Sequence, residues 1–278
     1  MEAQWPNLFI PGAPRAGTTS LWRYLSEHPE IYMSPVKEPA FFAPVPGGRV
    51  INGKASYLRL FDDASCEKWR GEASTAYFSD ESSPSRIKAT CPESKIIIVL
   101  RDPVERAYSH YWFHVRHNQE TRSFREAVEE ELTTSEGADT HYTDWSFYAT
   151  RLERYLGIFG NNVHVLFLEE LRANVDRELR TIYEFLDVDW HVAEHGSVGA
   201  HNAFVMPRNG PGTRVVQSPA LLAFGRKLPR RVRRKVVGLV MLKSKKPNMD
   251  REARSLLRNV YKPERKQLEL LLGRPLPW

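Results

Sequence analysis

The chain has 278 residues, with 40 Lys+Arg against 34 Asp+Glu for a formal net charge of +6, a length that suits one large domain or at most two. Hydrophobic residues at 41% and aromatics at 11% exclude a mainly disordered chain. The charge is uneven: residues 1–200 hold 21 Lys+Arg and 30 Asp+Glu, a net of −9, while residues 201–278 hold 19 and 4, a net of +15, so any basic-protein reading concerns the last quarter alone.

The apolar run Leu8-Phe9-Ile10, stopped by Pro11-Gly12, predicts a buried strand bounded by a turn. Thr18 or Thr19 can cap a helix running to about His28, where Pro29 follows. Lys95 to Leu100 is β-branched and apolar on both faces, the pattern of a strand inside a parallel sheet. Arg101-Asp102-Pro103 ends it, with Pro103 suited to the first turn of the next helix. Helical patterns follow at about 123–132 and 147–159, then a strand from Val163 to Leu168 and a helix over about 174–186. The Gly- and Asn-containing stretch from about His195 to Gly212 reads as a loop. Two more helical patterns cover about 219–242 and 250–272, the first carrying Arg226, Lys227, Arg230, Arg231, Arg233, Arg234 and Lys235. Strands alternating with helices predict an α/β fold with a central, mainly parallel sheet flanked by helices, plus a basic C-terminal helical extension. No repeat or low-complexity linker divides the chain, so a single domain is expected over 1–278.

Cys66 and Cys91 lie far apart without CxxC spacing, which suggests neither a zinc site nor a disulfide framework and points to a reducing compartment. The N-terminus lacks a basic segment leading into an apolar run, and no stretch reaches the roughly 18 apolar residues of a membrane span. A cytoplasmic protein is expected, with peripheral contact at the inner membrane surface open to the basic segment 215–246.

Residues 11–19 read PGAPRAGTT between a predicted strand and a predicted helix. A small-residue turn there aims backbone N–H groups at an anion, and the helix N-terminus adds a favourable dipole. Gly12 and Gly17 have Walker A spacing, but the position of the Walker Lys is Thr18 and the cation has moved to Arg15, which weakens a nucleotide triphosphatase reading. A second anion site lies in IIIVLRDPVERAYSHYWF, residues 97–113. Arg101 sits at the C-terminal end of the strand, where open α/β sheets bind ligands, and can grip a phosphate bidentately. Ser109, two turns into the helix, adds a hydroxyl from the same side. Two anion sites on neighbouring strand ends suit a ligand with phosphates at both ends.

With these motifs the chain resembles the sulfotransferases that use 3′-phosphoadenosine 5′-phosphosulfate (PAPS), in particular the branch of bacterial carbohydrate and heparan sulfate sulfotransferases. The P-K/R-x-G-T-T loop is matched by Pro14, Arg15, Gly17, Thr18 and Thr19, and the R-[DN]-P-x-x-R-x-x-S element by Arg101, Asp102, Pro103, Arg106 and Ser109. Between them, Lys37-Glu38-Pro39-Ala40-Phe41-Phe42 matches a K/E-E-x-x-F-F segment and Gly71 to Tyr77 a G-E-K/A-[ST]-x-x-Y segment. Tyr148 to Tyr155 and the C-terminal Met249 to Trp278 resemble later family segments.

The resemblance implies a P-loop-type three-layer fold, PAPS as donor, adenosine 3′,5′-bisphosphate (PAP) as product, and no metal, in keeping with the lack of a His/Cys/carboxylate cluster at ligand spacing. Its catalytic body would be about 1–200, followed by a donor-covering loop and basic helices over about 201–278. It makes Glu38 the general base and Lys37 a second cation; Phe41 and Phe42 read first as core packing, with an apolar wall beside the base as the alternative. Arg15 would stabilise the 5′-phosphate and bridging oxygen, with Ala16, Gly17, Thr18, Thr19 and Ser20 binding the same group. Arg101, Ser109 and, in the late loop, Arg208 would hold the 3′-phosphate side. Glu72, Tyr77, His141 and Tyr148 become acceptor-side candidates, the acceptor being a glycan, glycolipid or small metabolite. His114 and His117, three apart without an HExxH Glu, read as surface residues. The rival readings are a P-loop kinase and a non-catalytic membrane- or polyanion-binding protein; the basic segment carries no recognised nucleic-acid motif and its apolar neighbours fit an amphipathic surface helix.

Overall fold

The computed structural model describes residues 5–43, 51, 53–134, 141–192, 205–207, 241–243 and 246–278. Five parallel strands, β1 (Leu8–Gly12), β2 (Ile31–Met33), β3 (Trp69–Ala73), β4 (Lys95–Leu100) and β5 (Val163–Phe167), form one sheet in the order β2-β3-β1-β4-β5. β1 is central, pairing Phe9 with Glu72 of β3 on one side and with Ile96 of β4 on the other. Leu8, Phe9, Ile10 and every residue from Ile96 to Leu100 are fully buried, as the unbroken apolar runs require of strands covered on both faces.

After β1, helix α1 (Thr18–Ser26) leads away to β2. The short α2 (Lys54–Leu58) precedes β3, and α3 (Ala76–Ser79) and α4 (Ser83–Thr90) carry the chain across β1 to β4. From β4, helices α5 (Pro103–Arg116), α6 (Phe124–Thr133) and α7 (Ala149–Phe159) lead outward to β5. The chain leaves β1 toward β2 and leaves β4 toward β5, in opposite directions along the sheet, which makes the C-terminal ends of these two neighbours the point where an open parallel sheet binds ligands.

The remaining helices complete the body. α8 (Leu168–Ala173) and α9 (Val175–Leu186) follow β5. α10 (Arg251–Val260) and α11 (Lys262–Leu272) share the span 250–272, divided at Tyr261, whose hydroxyl donates to the Thr143 carbonyl at 3.1 Å. Met249, Ala253, Leu257 and Tyr261 pack with Val104, Tyr108, Tyr111, Phe124 and Val128 in a second core beside the main one. Glu264 of α11 accepts from the Ala149 N–H at 2.6 Å and so caps α7.

Several expectations are corrected. α1 is capped by the backbone of Gly17, left-handed at φ 98°, with no side-chain cap; Thr18 is already helical. Short antiparallel strands β6 (Val205–Pro207) and β7 (Met241–Lys243) pair where a loop and the end of a helix were expected. The helical pattern over 219–240, most of the basic segment 215–246 and the rest of the 195–212 loop lie outside the described residues. Among those described, no helix is long and apolar enough to cross a membrane, and both cysteines are free.

Candidate active site

The loop after β1 bends through Arg15 at φ 66° and Gly17 at φ 98°. Only glycine adopts such values without cost, and at Gly17 a Cβ would stand 2.6 Å from Leu168 Cδ1. The turn holds its shape through Ala13 N–H donating to Val99 O of β4 at 2.6 Å and Ala16 N–H to Ala13 O at 3.2 Å. Thr18, Thr19 and Ser20 then open α1, with Ser20 N–H donating to Gly17 O at 2.9 Å. Thr18 is buried, Thr19 and Ser20 half-buried, and Ala16 is in the core.

Two guanidinium groups stand over this turn. Arg101 leaves the end of β4, 9% exposed, and its Nη1 donates to the Arg15 carbonyl at 3.1 Å. The neighbouring Asp102 caps α5, accepting from Val104 N–H at 2.8 Å and Glu105 N–H at 3.4 Å. The carboxylate paired with Arg101 is Glu105, at 3.9 Å. Arg15 lies over the Phe113 ring at 4.9 Å and forms no ion pair among the described residues. Burial, then the nearby Arg116, Arg101 and Arg106, lower its pKa to about 10, so it stays charged at neutral pH. Burial first, and Arg172 next, lower that of Arg101. Both Nε atoms are buried with no partner among the described residues. Two such donors, on adjacent strand ends and in a cationic field, fit an anionic ligand. Ser109 is half-buried on α5 with its hydroxyl unpartnered among the described residues. Arg208 lies outside them.

The other arginine of the RDPxxR element does different work. Arg106 is fully buried, its Nε donating to Ser146 Oγ at 2.5 Å, its Nη2 to the carbonyls of Tyr142 and, at 3.4 Å, His141. It ties α5 to the 141–146 segment. Lys246, which sequence reasoning passed over, lies over the Tyr108 ring at 4.0 Å and reaches Glu105 Oε2 at 3.4 Å, while Arg254 holds Oε1 at 2.8 Å. Its only sequence signal was a basic run among many.

On the other flank of β1, Glu38 follows β2 in a left-handed conformation at φ 62°, with Ala40 at φ 52° two residues on. Glu38 N–H donates to Ala73 O at 2.9 Å, Thr75 N–H donates to Glu38 Oε2 at 2.6 Å, and Lys37 Nζ contacts Oε1 at 2.5 Å. The loop is thus fixed to the end of β3. Phe41 and Phe42 take the core-packing role rather than that of a wall: the Glu38 side chain is 42% exposed, and the two rings pack with Trp5 and Tyr57, Phe41 stacking on Tyr57 at 4.4 Å.

Glu72, Tyr77 and Tyr148 are all 0% exposed, which corrects their reading as acceptor contacts. Tyr148 donates to the Arg101 carbonyl at 3.0 Å and steadies that strand end. Glu72 accepts from Tyr57 and Tyr77 on Oε1, at 2.7 and 2.6 Å, and from Ser74 on Oε2, at 2.6 Å. His141 is half-exposed, its ring parallel to that of Trp145 at 5.3 Å. Trp145 also stacks on His110, whose pKa burial and Arg106 push down to about 2. His114 is half-buried against His110, the two Nε2 atoms 3.1 Å apart, and so is not the surface residue expected; His117 is exposed. Among the described residues no group of three or more His, Cys, Asp or Glu is arranged to hold a metal.

Since the strands are parallel, these features emerge along one edge of the sheet in the order Glu38 beside β3, the Arg15 loop on β1, Arg101 on β4, each step about 4.8 Å. The chain is similar to known proteins. The crystal structure of a sulfotransferase from Alicyclobacillus acidocaldarius superposes with a TM-score of 0.74 at 29% identity, covering 98% of both chains. The bifunctional heparan sulfate N-deacetylase/N-sulfotransferase 4 of Mus musculus is 26% identical over 98% of this chain but 31% of its own length. Carbohydrate sulfotransferase 15 of Rattus norvegicus is 28% identical over 66% of this chain and 44% of its own. The chain thus spans about a third to under a half of these curated relatives. The Sulfotransferase domain model matches residues 6–269, and the chain therefore belongs to the sulfotransferase family.

Proposed function

We propose that this enzyme moves a sulfuryl group from PAPS to a hydroxyl or amine of a glycan or glycolipid, with Glu38 as general base. Family membership sets aside the kinase and non-catalytic readings. The donor of this family is PAPS and the product PAP, a nucleotide with anionic groups at both 5′ and 3′ positions. The observation that carries the reading is the row of strand ends: two buried guanidinium Nε atoms over β1 and β4 with no partner among the described residues, and a fixed carboxylate on the opposite flank. The loop N–H groups, Thr18, Thr19, Ser20 and Arg15 take the 5′-phosphosulfate; Arg101 and Ser109 take the 3′-phosphate.

In the transfer, the acceptor oxygen or nitrogen forms a bond to sulfur as its proton passes to a Glu38 oxygen. The bond from sulfur to the bridging oxygen breaks, and its electron pair stays on the 5′-phosphate. Arg15, charged at neutral pH, stabilises that growing negative charge without giving up a proton. Lys37 and Thr75 orient the base.

The curated relatives, named for heparan sulfate N-sulfation and carbohydrate sulfation, favour a sugar acceptor. The test is transfer from labelled PAPS to a panel of desulfated glycan chains, glycolipids and small hydroxylated metabolites, with the parent and Glu38→Gln. Label should enter a glycan or glycolipid with the parent, and the variant should lose about 10² to 10⁴ in turnover while PAP affinity is unchanged. Parent-like turnover in the variant defeats the base assignment, and label entering only metabolites defeats the acceptor class.

A further inference from the structure

The loop that carries Glu38 is strained and short of local support. Two non-glycine residues, Glu38 and Ala40, are left-handed within three positions, each costing of order 1–3 kcal/mol unless the surroundings fix it. Pro39 between them has no N–H to offer. Three N–H groups of the loop are nevertheless held: Glu38 by Ala73 O at 2.9 Å, Ala40 by Ser74 Oγ at 2.9 Å, and Phe42 by the Tyr77 hydroxyl at 3.3 Å. The last two are side-chain hydroxyls, which can accept from these N–H groups steadily only if their own hydrogens point elsewhere. They point to Glu72. Ser74 donates to Oε2 and Tyr77 to Oε1, both at 2.6 Å, and Tyr57, stacked on Phe41, donates to Oε1 at 2.7 Å.

We propose that Glu72 is a positioning residue: its buried carboxylate, acting through the hydroxyls of Ser74 and Tyr77, fixes the backbone of the 38–42 loop and thereby the Glu38 carboxylate. This rests on the reading of Glu38 as the base. Counting hydrogens shows why a carboxylate is needed rather than any acceptor. Three hydroxyl hydrogens occupy three of the four lone-pair sites on the two oxygens, and each of Ser74 and Tyr77 keeps a lone pair for a loop N–H. A proton on Glu72 takes the charge out of these bonds and weakens them, so the Ser74 grip on Ala40 N–H loosens. A glutamine amide presents N–H donors where one oxygen now accepts, and the hydroxyl there must turn away.

The groups facing Glu72 are Tyr57 from α2, Ser74, Tyr77 from α3, Cys91 after α4, Tyr155 from α7 and, more distantly, Glu38. No cation forms an ion pair with it among the described residues. Burial accordingly pushes its pKa up to about 7 against the three hydroxyl bonds that lower it, so the frame is fully set only on the alkaline side of neutrality.

The experiment compares the parent with Glu72→Gln, Ser74→Ala and Tyr77→Phe. Amide hydrogen exchange is read at Ala40 and Phe42, with Ile97 and Val99 of β4 as internal reference. PAP affinity is read by calorimetry, and turnover over pH with labelled PAPS and a desulfated heparan chain. Glu72→Gln should speed exchange at Ala40 and Phe42 about tenfold or more and leave β4 and PAP affinity unchanged. It should lower kcat on the order of 10- to 100-fold without moving the acceptor KM, and remove a rise in kcat centred near pH 7. Ser74→Ala should release Ala40 alone and Tyr77→Phe should release Phe42 alone, which keeps the test decisive if Glu72→Gln fails to fold. Parent-like exchange at both amides overturns the proposal, as does parent-like kcat in Glu72→Gln when Glu38→Gln is inactive. Parent-like turnover in Glu38→Gln instead brings down the base reading and this proposal with it.

Discussion

Replacing Arg101 by alanine should separate donor binding from folding. In the free protein this guanidinium is 9% exposed, pairs with Glu105 only at 3.9 Å, keeps an unpartnered Nε, and faces Arg172. Its removal deletes a poorly compensated buried cation and one hydrogen bond, to Arg15 O. These effects oppose each other, so stability without ligand should move by no more than about 1 kcal/mol. Toward a 3′-phosphate, Arg101 offers two charge-assisted bonds worth about 1.5–2 kcal/mol each. Losing about 3–4 kcal/mol raises the Kd for PAP by roughly 10² to 10³. At 100 times the parent Kd, PAP stabilises the parent by about 2.7 kcal/mol, which is roughly 5–10 °C in Tm for a chain of this size. Arg101→Ala with a 100-fold higher Kd gains only about 0.4 kcal/mol at the same concentration, under about 2 °C. Thermal unfolding with and without PAP measures both quantities, and adenosine 5′-monophosphate serves as the ligand lacking the 3′ group. The parent should prefer the bisphosphate and the variant should not distinguish the two. A variant that keeps the full shift with PAP, or keeps the preference, refutes the assignment of Arg101 to the 3′-phosphate.

Gly17→Ala puts a Cβ at φ 98° and 2.6 Å from Leu168 Cδ1; it should lower stability by about 1–3 kcal/mol in urea titrations and weaken PAP binding with it. Arg106→Met strands Ser146 Oγ and the carbonyls of His141 and Tyr142, so chemical denaturation should show a loss of about 2–4 kcal/mol while calorimetric PAP affinity stays at the parent level in the folded protein. Glu72 holds its proton more tightly when folded, with a pKa of about 7 against the ordinary 4.5. Between those values the native state binds more protons than the unfolded one, so stability falls as pH rises through that window, by on the order of 3 kcal/mol. Urea midpoints measured across it should show that fall in the parent and its absence in Glu72→Gln.

The parts legible in the sequence were those whose local signal and tertiary role agree. Ile96 to Leu100 is apolar throughout because both faces of β4 are covered, and Asp102-Pro103 reads as a helix start because it is one. β3 was illegible for the opposite reason. Trp69-Arg70-Gly71-Glu72-Ala73 mixes a glycine with charged residues, and what makes it a central strand is a carboxylate buried among hydroxyls contributed by α2, α3 and Ser74. β2, with three residues, is too short to show a period. At the site, Arg15 and Arg101 stood out through motif order, but the division of labour between Arg101, whose Nε has no partner among the described residues, and Arg106, bonded to Ser146 and two carbonyls, depends on where the 141–146 segment returns. The α1 cap was misplaced by one residue because Thr18 looks like a side-chain cap, whereas the turn relies on the conformation of Gly17.

The pairing of β1 with β4 gives the donor site a built-in ruler. Ala13 N–H bonds to Val99 O, and Arg101 bonds back to Arg15 O, so the separation between the two cationic stations is set by the ladder rather than by either side chain. With the proposed roles of Arg15 and Arg101, a nucleotide is gauged by the distance between its two anionic ends. Changing one arginine can weaken a station, but it cannot recalibrate the gauge. Converting this scaffold to a donor with a single anionic end would mean re-registering the centre of the sheet, and acceptor variety can evolve on the Glu38 flank without disturbing that measurement.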